Sequence, residues 1–369
     1  MSSQPLSPNN FRDLFDSVEA FLFDCDGVIW KGDELIHGVP ETLQMLRSKG
    51  KKLVFVTNNS WKSRSQYAQK FQSLGISVSQ DEIFSSSFAA AMYLKVNEFP
   101  SQNKVYVIGG EGILEELRLA GITAFGGPDD ANKTIDLKQN WFVEHDKSVG
   151  AVVVAQILIP LDDPVLNINK VAGYLQRHFI EGIVDKGVNE GVAVVSYYDI
   201  SMSSNRYGTL CIRENPGCLF IATNRDAVGH MTALQEWPGA GCMVAAICGS
   251  TQKEPVVVGK PSTFMMEFLL KKFNVSCSKM CMVGDRLDTD ILFGQNAGCK
   301  TLLVLSVLDL SFFYQFGSSV AKLFGLSIHN LSSLSSTRRV HKFSGLPDLS
   351  YAQDMKKDER ERVGSVNIP

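Results

Sequence analysis

The absences in this chain narrow its class before any motif is read. Its longest apolar run, Val149 to Pro160, is interrupted by Gln156 and is too short to cross a bilayer. None of its eight cysteines forms a C-x-x-C pair, and the nearest two, Cys277 and Cys281, fall on what reads as a loop entering a strand. That usage favours free thiols over a zinc site. Charge is neither abundant nor one-sided, with 20% charged residues and a formal net charge of -3 at pH 7, so no nucleic-acid partner is expected. Residues 1–20 hold one basic residue, Arg12, and no apolar core of the signal-peptide kind. The expectation is a cytoplasmic protein without membrane association. At 369 residues there is chain enough for two domains, each with its own core.

What is present is organised around Phe21 to Trp30, Phe-Leu-Phe-Asp-Cys-Asp-Gly-Val-Ile-Trp. An apolar run from about Val18 reads as a buried strand that stops at Asp24, and Gly27 turns the chain just after Asp26. Residues two apart on an extended segment share a face, so Asp24 and Asp26 point into one cleft while Cys25 points away. Two neighbouring acids cannot both ionise cheaply, so the pair asks for a cation or for one retained proton. Taken alone, the same four residues also describe an Asx-rich surface turn.

The segments that follow repeat one grammar. Pro40 to Lys49 reads as a helix, with Val39, Leu43 and Leu46 as its stripe and Gly50 as its end. Lys52 to Thr57 is a second buried strand, which ends in Asn58-Asn59-Ser60; Tyr67, Phe71 and Leu74 mark the next helix, closed by Gly75. Strand, helix, strand gives a parallel pair, whose ligand crevice lies beyond the carboxyl ends of the strands. Val256 to Gly259 leads into Lys260, and Met280 to Gly284 leads into Asp285, Asp288 and Asp290. Asp288 is expected to cap a helix that Gly298 ends, before a strand from Lys300 to Leu305. Singly, Lys260 reads as a solvated strand-end lysine and Asp290 as a helix-dipole partner. Four such strand ends in one doubly wound parallel sheet, carrying an acid pair, a hydroxyl, a lysine and an acidic cluster, point to a reaction centre.

Those four stretches, Phe23-Asp24-Cys25-Asp26-Gly27-Val28, Val56-Thr57-Asn58-Asn59-Ser60, Val258-Gly259-Lys260-Pro261 and Val283-Gly284-Asp285-Arg286-Leu287-Asp288-Thr289-Asp290, resemble the four motifs of haloacid dehalogenase-type phosphohydrolases. The fuller wording is similar to the eukaryotic 4-nitrophenylphosphatase or phosphoglycolate phosphatase family, above all its plant members, over roughly Asn9 to Ala155 and Tyr207 to Ser306. The fold implied is a doubly wound, Rossmann-like α/β core with an inserted α/β cap. One helix fills the stretch between Asp24 and Thr57, whereas the stretch between Thr57 and Lys260 is long enough for a domain. The expected division is therefore a core of 1–98 and 230–306 and a cap of 99–229. Two stretches depart from the family: Gln156 to Asn205 within the cap, and a serine-rich, expectedly unstructured tail over 307–369.

The resemblance also implies a chemistry. Asp24 would attack phosphorus to form an aspartyl phosphate, and Asp26 would protonate the leaving oxygen and then activate water. Mg2+ would be held by Asp24, Asp285 and the backbone carbonyl of Asp26, with Asp290 orienting its water from behind. Thr57, the amides of Asn58 and Asn59, and Ser60 would bind the phosphoryl group, and Lys260 would offset both its charge and that of Asp24. A small phosphorylated metabolite, 2-phosphoglycolate first, is the implied substrate, with arylphosphates and pyridoxal phosphate as alternatives and a homodimer as the implied assembly. A reading of a different class is a catalytically impaired form that acts only as a binding protein.

Overall fold

The computed structural model describes residues 6–132, 144–156, 204–229 and 237–305. Residues 157–203 of the departing cap stretch and the tail over 307–369 lie outside the described residues.

In chain order the main elements are α1 (Pro8–Ser17), β1 (Ala20–Phe23), α2 (Val39–Ser48), β2 (Lys52–Thr57), α3 (Arg64–Ser73), β3 (Ile83–Ser85), α4 (Ser86–Val96), β4 (Lys104–Ile108), α5 (Glu111–Leu119), β5 (Ala124–Gly126) and β6 (Val149–Val154). There follow α6 (helical residues 204–214), β7 (Leu219–Ala222), α7 (Ala240–Thr251), β8 (Val256–Val257), α8 (Phe264–Phe273), β9 (Met280–Gly284), α9 (Leu292–Asn296) and β10 (Lys300–Leu303). Two parallel five-stranded sheets result. The first has the order β10-β9-β1-β2-β3 and the second β8-β7-β6-β4-β5.

Period-two alternation decides what each strand face packs against. Ala20 and Leu22 of β1, Val54 and Val56 of β2, and Met280 and Met282 of β9 enter one buried cluster; Phe21 and Phe23, Leu53 and Phe55, and Cys281 and Val283 enter another on the opposite face. The second sheet divides likewise. Val105 and Val107 of β4 and Ala151 and Val153 of β6 share the first cluster, whereas Tyr106, Ile108, Val152 and Val154 face a third with Cys211, Ile212 and Ile247. The shared cluster also takes Ala89, Ala90, Ala91 and Leu94 of α4 and Met265, Met266 and Leu269 of α8, so both sheets are apolar on both faces, as parallel sheets are.

Local signals place α3 where the site needs it. Ser63 accepts from the Gln66 amide while the Gln66 side chain accepts from the Ser63 amide, a reciprocal cap contributing about 1 kcal/mol. Tyr67 and Phe71 are fully buried, at about 2 kcal/mol each. The cap fixes where α3 begins, and the larger burial term fixes which face turns inward.

Two expectations need correction. The strand leading to Lys260 is not part of the sheet that carries Asp24: β8 pairs with β7 in the second sheet, Val256 beside Ile221 and Val257 beside Ala222. A short apolar strand joins whichever parallel edge offers unpaired backbone groups, and the strand's composition does not say which. The Asp288 side chain does not cap the following helix. Its carboxylate pairs with Arg286 at 2.8 Å, and it is Asp290 Oδ2 that accepts the Arg286 amide hydrogen at 3.1 Å, at the start of a π-helical turn over Leu287–Ile291.

Candidate active site

The carboxyl ends of β1, β2 and β9 lie side by side, and each delivers one expected residue. Asp24 follows β1, its amide bonded to the Val283 carbonyl at 2.9 Å, and only 7% of it is exposed. Thr57 ends β2 and is buried. Asp285 follows Gly284 of β9, where a Cβ would come within 2.1 Å of the Asp290 side chain. Only glycine allows the acidic turn to fold back that closely.

Lys260 is the centre of the cluster. Its ammonium, 1% exposed, donates to Asp24 Oδ1 at 2.6 Å and to the Val56 carbonyl at 2.7 Å, and lies 2.8 Å from Asp290 Oδ1. Burial works against its charge, but Asp24 and then Asp290 outweigh that and hold the lysine above its ordinary pKa. The carboxyls respond in the opposite sense. Burial first, and the Asp290 charge second, raise Asp24 well above the usual range; the same two causes push Asp285 up to about 6.

Charge counting explains the pressure. Asp24, Asp285 and Asp290 bring ligand oxygens within 4.8 Å of one another, and Lys260 alone cannot neutralise three carboxylates. Asp285 Oδ1 is buried with no hydrogen-bond partner among the described residues, a costly state unless something else satisfies it. An all-oxygen donor set with an excess of negative charge and an orphaned carboxylate oxygen suits a hard divalent cation. The acid cluster fits Mg2+, with Asp24 and Asp285 as the carboxylates open to it. Asp290 is ion-paired to Lys260 through Oδ1, which is buried without a hydrogen bond among the described residues, and its Oδ2 accepts the Arg286 amide hydrogen.

Not every expected residue turns toward that cluster. The exposed Asp26 side chain accepts from Trp30 Nε1 at 2.8 Å and, weakly, from Asn59 Nδ2 at 3.4 Å. The Asn59 amide donates to Thr57 Oγ1 at 3.1 Å. The Asn58 side chain is committed elsewhere: its Oδ1 accepts from the Lys260 amide at 2.7 Å, and its Nδ2 donates to the Lys260 carbonyl at 2.9 Å and to Asp226 at 3.3 Å. Ser60 is buried. Asn58 thus clamps the lysine's backbone, and its carbonyl accepts from Ser86 at 2.6 Å, which leaves its main-chain amide for a ligand.

Three residues were missed at the sequence level: Trp30, Asn224 and Asp226. Asn224 donates to the Asn58 carbonyl at 2.9 Å, and Asp226, raised in pKa mainly by its burial, receives the other side of Asn58. One signal was available, because the apolar run of β7 leads into Thr223-Asn224 as that of β2 leads into Thr57-Asn58.

Residues 21–123 match the haloacid dehalogenase-like hydrolase family, and residues 257–306 match a second HAD-like hydrolase profile. Phosphoglycolate phosphatase 2 of Arabidopsis thaliana is 65% identical over 307 residues, 83% of this chain and 89% of that one. The chain belongs to the haloacid dehalogenase-like hydrolases. The 4-nitrophenylphosphatase of Schizosaccharomyces pombe is 33% identical over 83% of this chain and 90% of its own length. Among solved structures, the p-nitrophenyl phosphatase from Archaeoglobus fulgidus superposes with a TM-score of 0.56 at 27% identity, covering 84% of this chain and 94% of that one. The protein is accordingly an enzyme, a phosphoric monoester hydrolase of this family.

Proposed function

We propose that the chain hydrolyses small phosphate monoesters through an aspartyl-phosphate intermediate on Asp24, with 2-phosphoglycolate as its substrate. The observation that carries the reading is the short Lys260–Asp24 contact beside the orphaned Asp285 oxygen. It presents a nucleophile oriented by a buried ammonium, next to a charge deficit of the size a divalent cation fills. Bound Mg2+ would screen the carboxylates from the phosphoryl group and polarise its oxygens.

The chain's own residues supply the remaining steps. Lys260 fixes Asp24 Oδ1, so the other carboxylate oxygen is the one presented to phosphorus for in-line attack. Charge accumulating on the phosphoryl oxygens is met by the same ammonium and by main-chain amides after Thr57. Asp26 stands outside the acid cluster and is free to carry a proton to the departing alkoxide and then to take one from the attacking water. The substrate assignment is supported by the 65% identity with a protein named for phosphoglycolate. Arylphosphate turnover is the second reading, supported by the 4-nitrophenylphosphatase relative.

The test is phosphate release by the purified full chain from 2-phosphoglycolate, 4-nitrophenyl phosphate and pyridoxal 5'-phosphate, with Mg2+ or with chelator. Highest kcat/KM on 2-phosphoglycolate, abolished by chelation, is expected. Release from none of the three esters would remove the hydrolase reading in favour of a binding role.

A further inference from the structure

Asp26 must hold one orientation while it gives and takes a proton, yet it sits exposed on a tight turn. Its neighbour four residues on is the reverse: Trp30 is 0% exposed. A buried indole N–H needs an acceptor, and the one it has is Asp26 Oδ1 at 2.8 Å. The geometry points to Trp30 as the positioning residue for Asp26, holding Oδ1 and leaving Oδ2 as the oxygen that carries the transferred proton. The inference rests on the acid/base role given to Asp26 above.

The backbone makes the contact repeatable. Gly27, at φ 85, reverses the chain, its amide donates to the Trp30 carbonyl at 2.7 Å, and Asp26 and Trp30 form a β-bridge. The indole has little freedom of its own. The Tyr67 ring lies near-parallel at 6.4 Å, Phe71 meets it edge-on at 4.8 Å, and the Lys70 ammonium sits 4.5 Å from the ring centroid. A cation over the face draws density from the ring, which makes the indole N–H a better donor. The same aromatic group reaches the phosphate loop, since Tyr67 donates its hydroxyl to the Asn59 carbonyl at 3.1 Å.

The two carboxylate oxygens are therefore unequal. Oδ1 is tied to a rigid donor, while Oδ2 has, among the described residues, only the long Asn59 contact at 3.4 Å. In the acid form the proton resides on Oδ2, because Oδ1 is already accepting. It passes to the leaving oxygen as the ester P–O bond breaks. In the second step Oδ2 takes a proton from the water that attacks the aspartyl phosphate, and the starting form returns.

A structural role for Trp30 would lower activity on all esters alike, whereas a positioning role discriminates by leaving group. The experiment compares kcat/KM, which reports the leaving-group step and not the shared hydrolysis of the aspartyl phosphate, on 4-nitrophenyl phosphate, whose phenolate departs unaided, and on ethyl phosphate, whose alkoxide needs a proton. The proteins are wild type, Asp26→Asn, Trp30→Phe and the double variant. Trp30→Phe should lose about 10- to 100-fold on ethyl phosphate and under about 3-fold on 4-nitrophenyl phosphate, within the range of general acid catalysis. In the Asp26→Asn background the same substitution should have no further selective effect. Should Trp30→Phe fold poorly, benzothienylalanine at position 30 keeps the ring shape and removes only the N–H, and the same ratio is read. Equal losses on both esters, or a selective loss that persists without Asp26, overturn the inference. If Asp26→Asn is itself unselective, the proton-transfer role assigned under the proposed function fails instead.

Discussion

Replacing Asp285 by Asn is expected to stabilise the metal-free protein while destroying its activity. In the folded chain the Asp285 carboxyl is pushed up to about 6 from an ordinary 3.8, by burial and then by the Asp290 charge. The folded state thus holds this proton more tightly than the unfolded chain does. The corresponding stabilisation is complete below the ordinary value, declines as pH rises, and is gone once pH has passed the folded value of about 6. Above that, the ionised carboxylate is a burden of at most about 3 kcal/mol, and residual solvent access reduces the expected figure to about 1–2 kcal/mol. Asparagine keeps the shape and carries no charge at any pH. In chelator at pH 7.5, Asp285→Asn should therefore melt about 2–6 °C above wild type, and the gap should close as pH is lowered toward 4. Magnesium should reverse the order, because wild type gains a ligand and the variant gains little. Thermal unfolding followed by circular dichroism, across pH and with chelator or Mg2+, reads all three quantities. A variant that melts below wild type in chelator at pH 7.5, or that gains as much from Mg2+, refutes the picture of Asp285 as a carboxylate waiting for a cation.

Asp24→Asn should reduce turnover at least about a thousandfold with a wild-type circular dichroism spectrum; a folded variant retaining several per cent of activity would reassign the nucleophile. Calcium should bind the acid cluster, seen as a rise in melting temperature, without supporting phosphate release, because its looser shell does not hold the attack geometry; efficient turnover in calcium counts against the proposed site. Glu116, 1% exposed and paired with Arg64 at 3.0 Å, ties α5 to α3, so Glu116→Ala should cost about 2–4 kcal/mol in a urea titration, and a loss under 1 kcal/mol would make the pair incidental. Gly112→Ala would bring a Cβ within 2.3 Å of the Lys62 backbone carbon, and should lower both stability and kcat by displacing the loop after Asn59; unchanged kcat would separate that contact from the site.

The strands that bear the proposed site were legible because each is a short apolar run ending in a polar residue, and a both-face-buried parallel strand has no other appearance. That pattern singles out Asp24, Thr57, Lys260, Asp285 and Asp290, and all but Thr57 are joined by direct contacts or ligand spacing in the structure. Sheet membership was less legible. Val256–Val257 offers no side-chain signal that distinguishes an edge beside β7 from an edge of the first sheet, since both demand the same apolar residues. Side-chain commitments were not legible either. The place of Asn58 after Thr57 says nothing of its side chain, which holds the Lys260 peptide. The role of Trp30 depends on a turn that brings position 30 back to position 26, which a linear pattern of apolar residues conceals.

These commitments bear on how the second sheet contributes to the reaction. Lys260 enters the site directly from β8, a strand of that sheet, and its peptide is held by Asn58 of the first. Asn58 is in turn held by Asn224 and Asp226, which follow β7. Gly259 lies where a Cβ would come within 2.1 Å of the Thr223 carbonyl, so the two chain segments leave the sheet in contact. The ammonium that orients Asp24 is thus referenced to both sheets at once. A displacement of β7 and β8 relative to β2 moves Lys260 along with any residue of the second sheet that touches substrate, and a misplacement of about 1 Å at a reacting group costs on the order of a hundredfold in rate. Both sheets contribute to one buried cluster, so the place of the ammonium against Asp24 depends on the packing of the two sheets together and not on β8 alone.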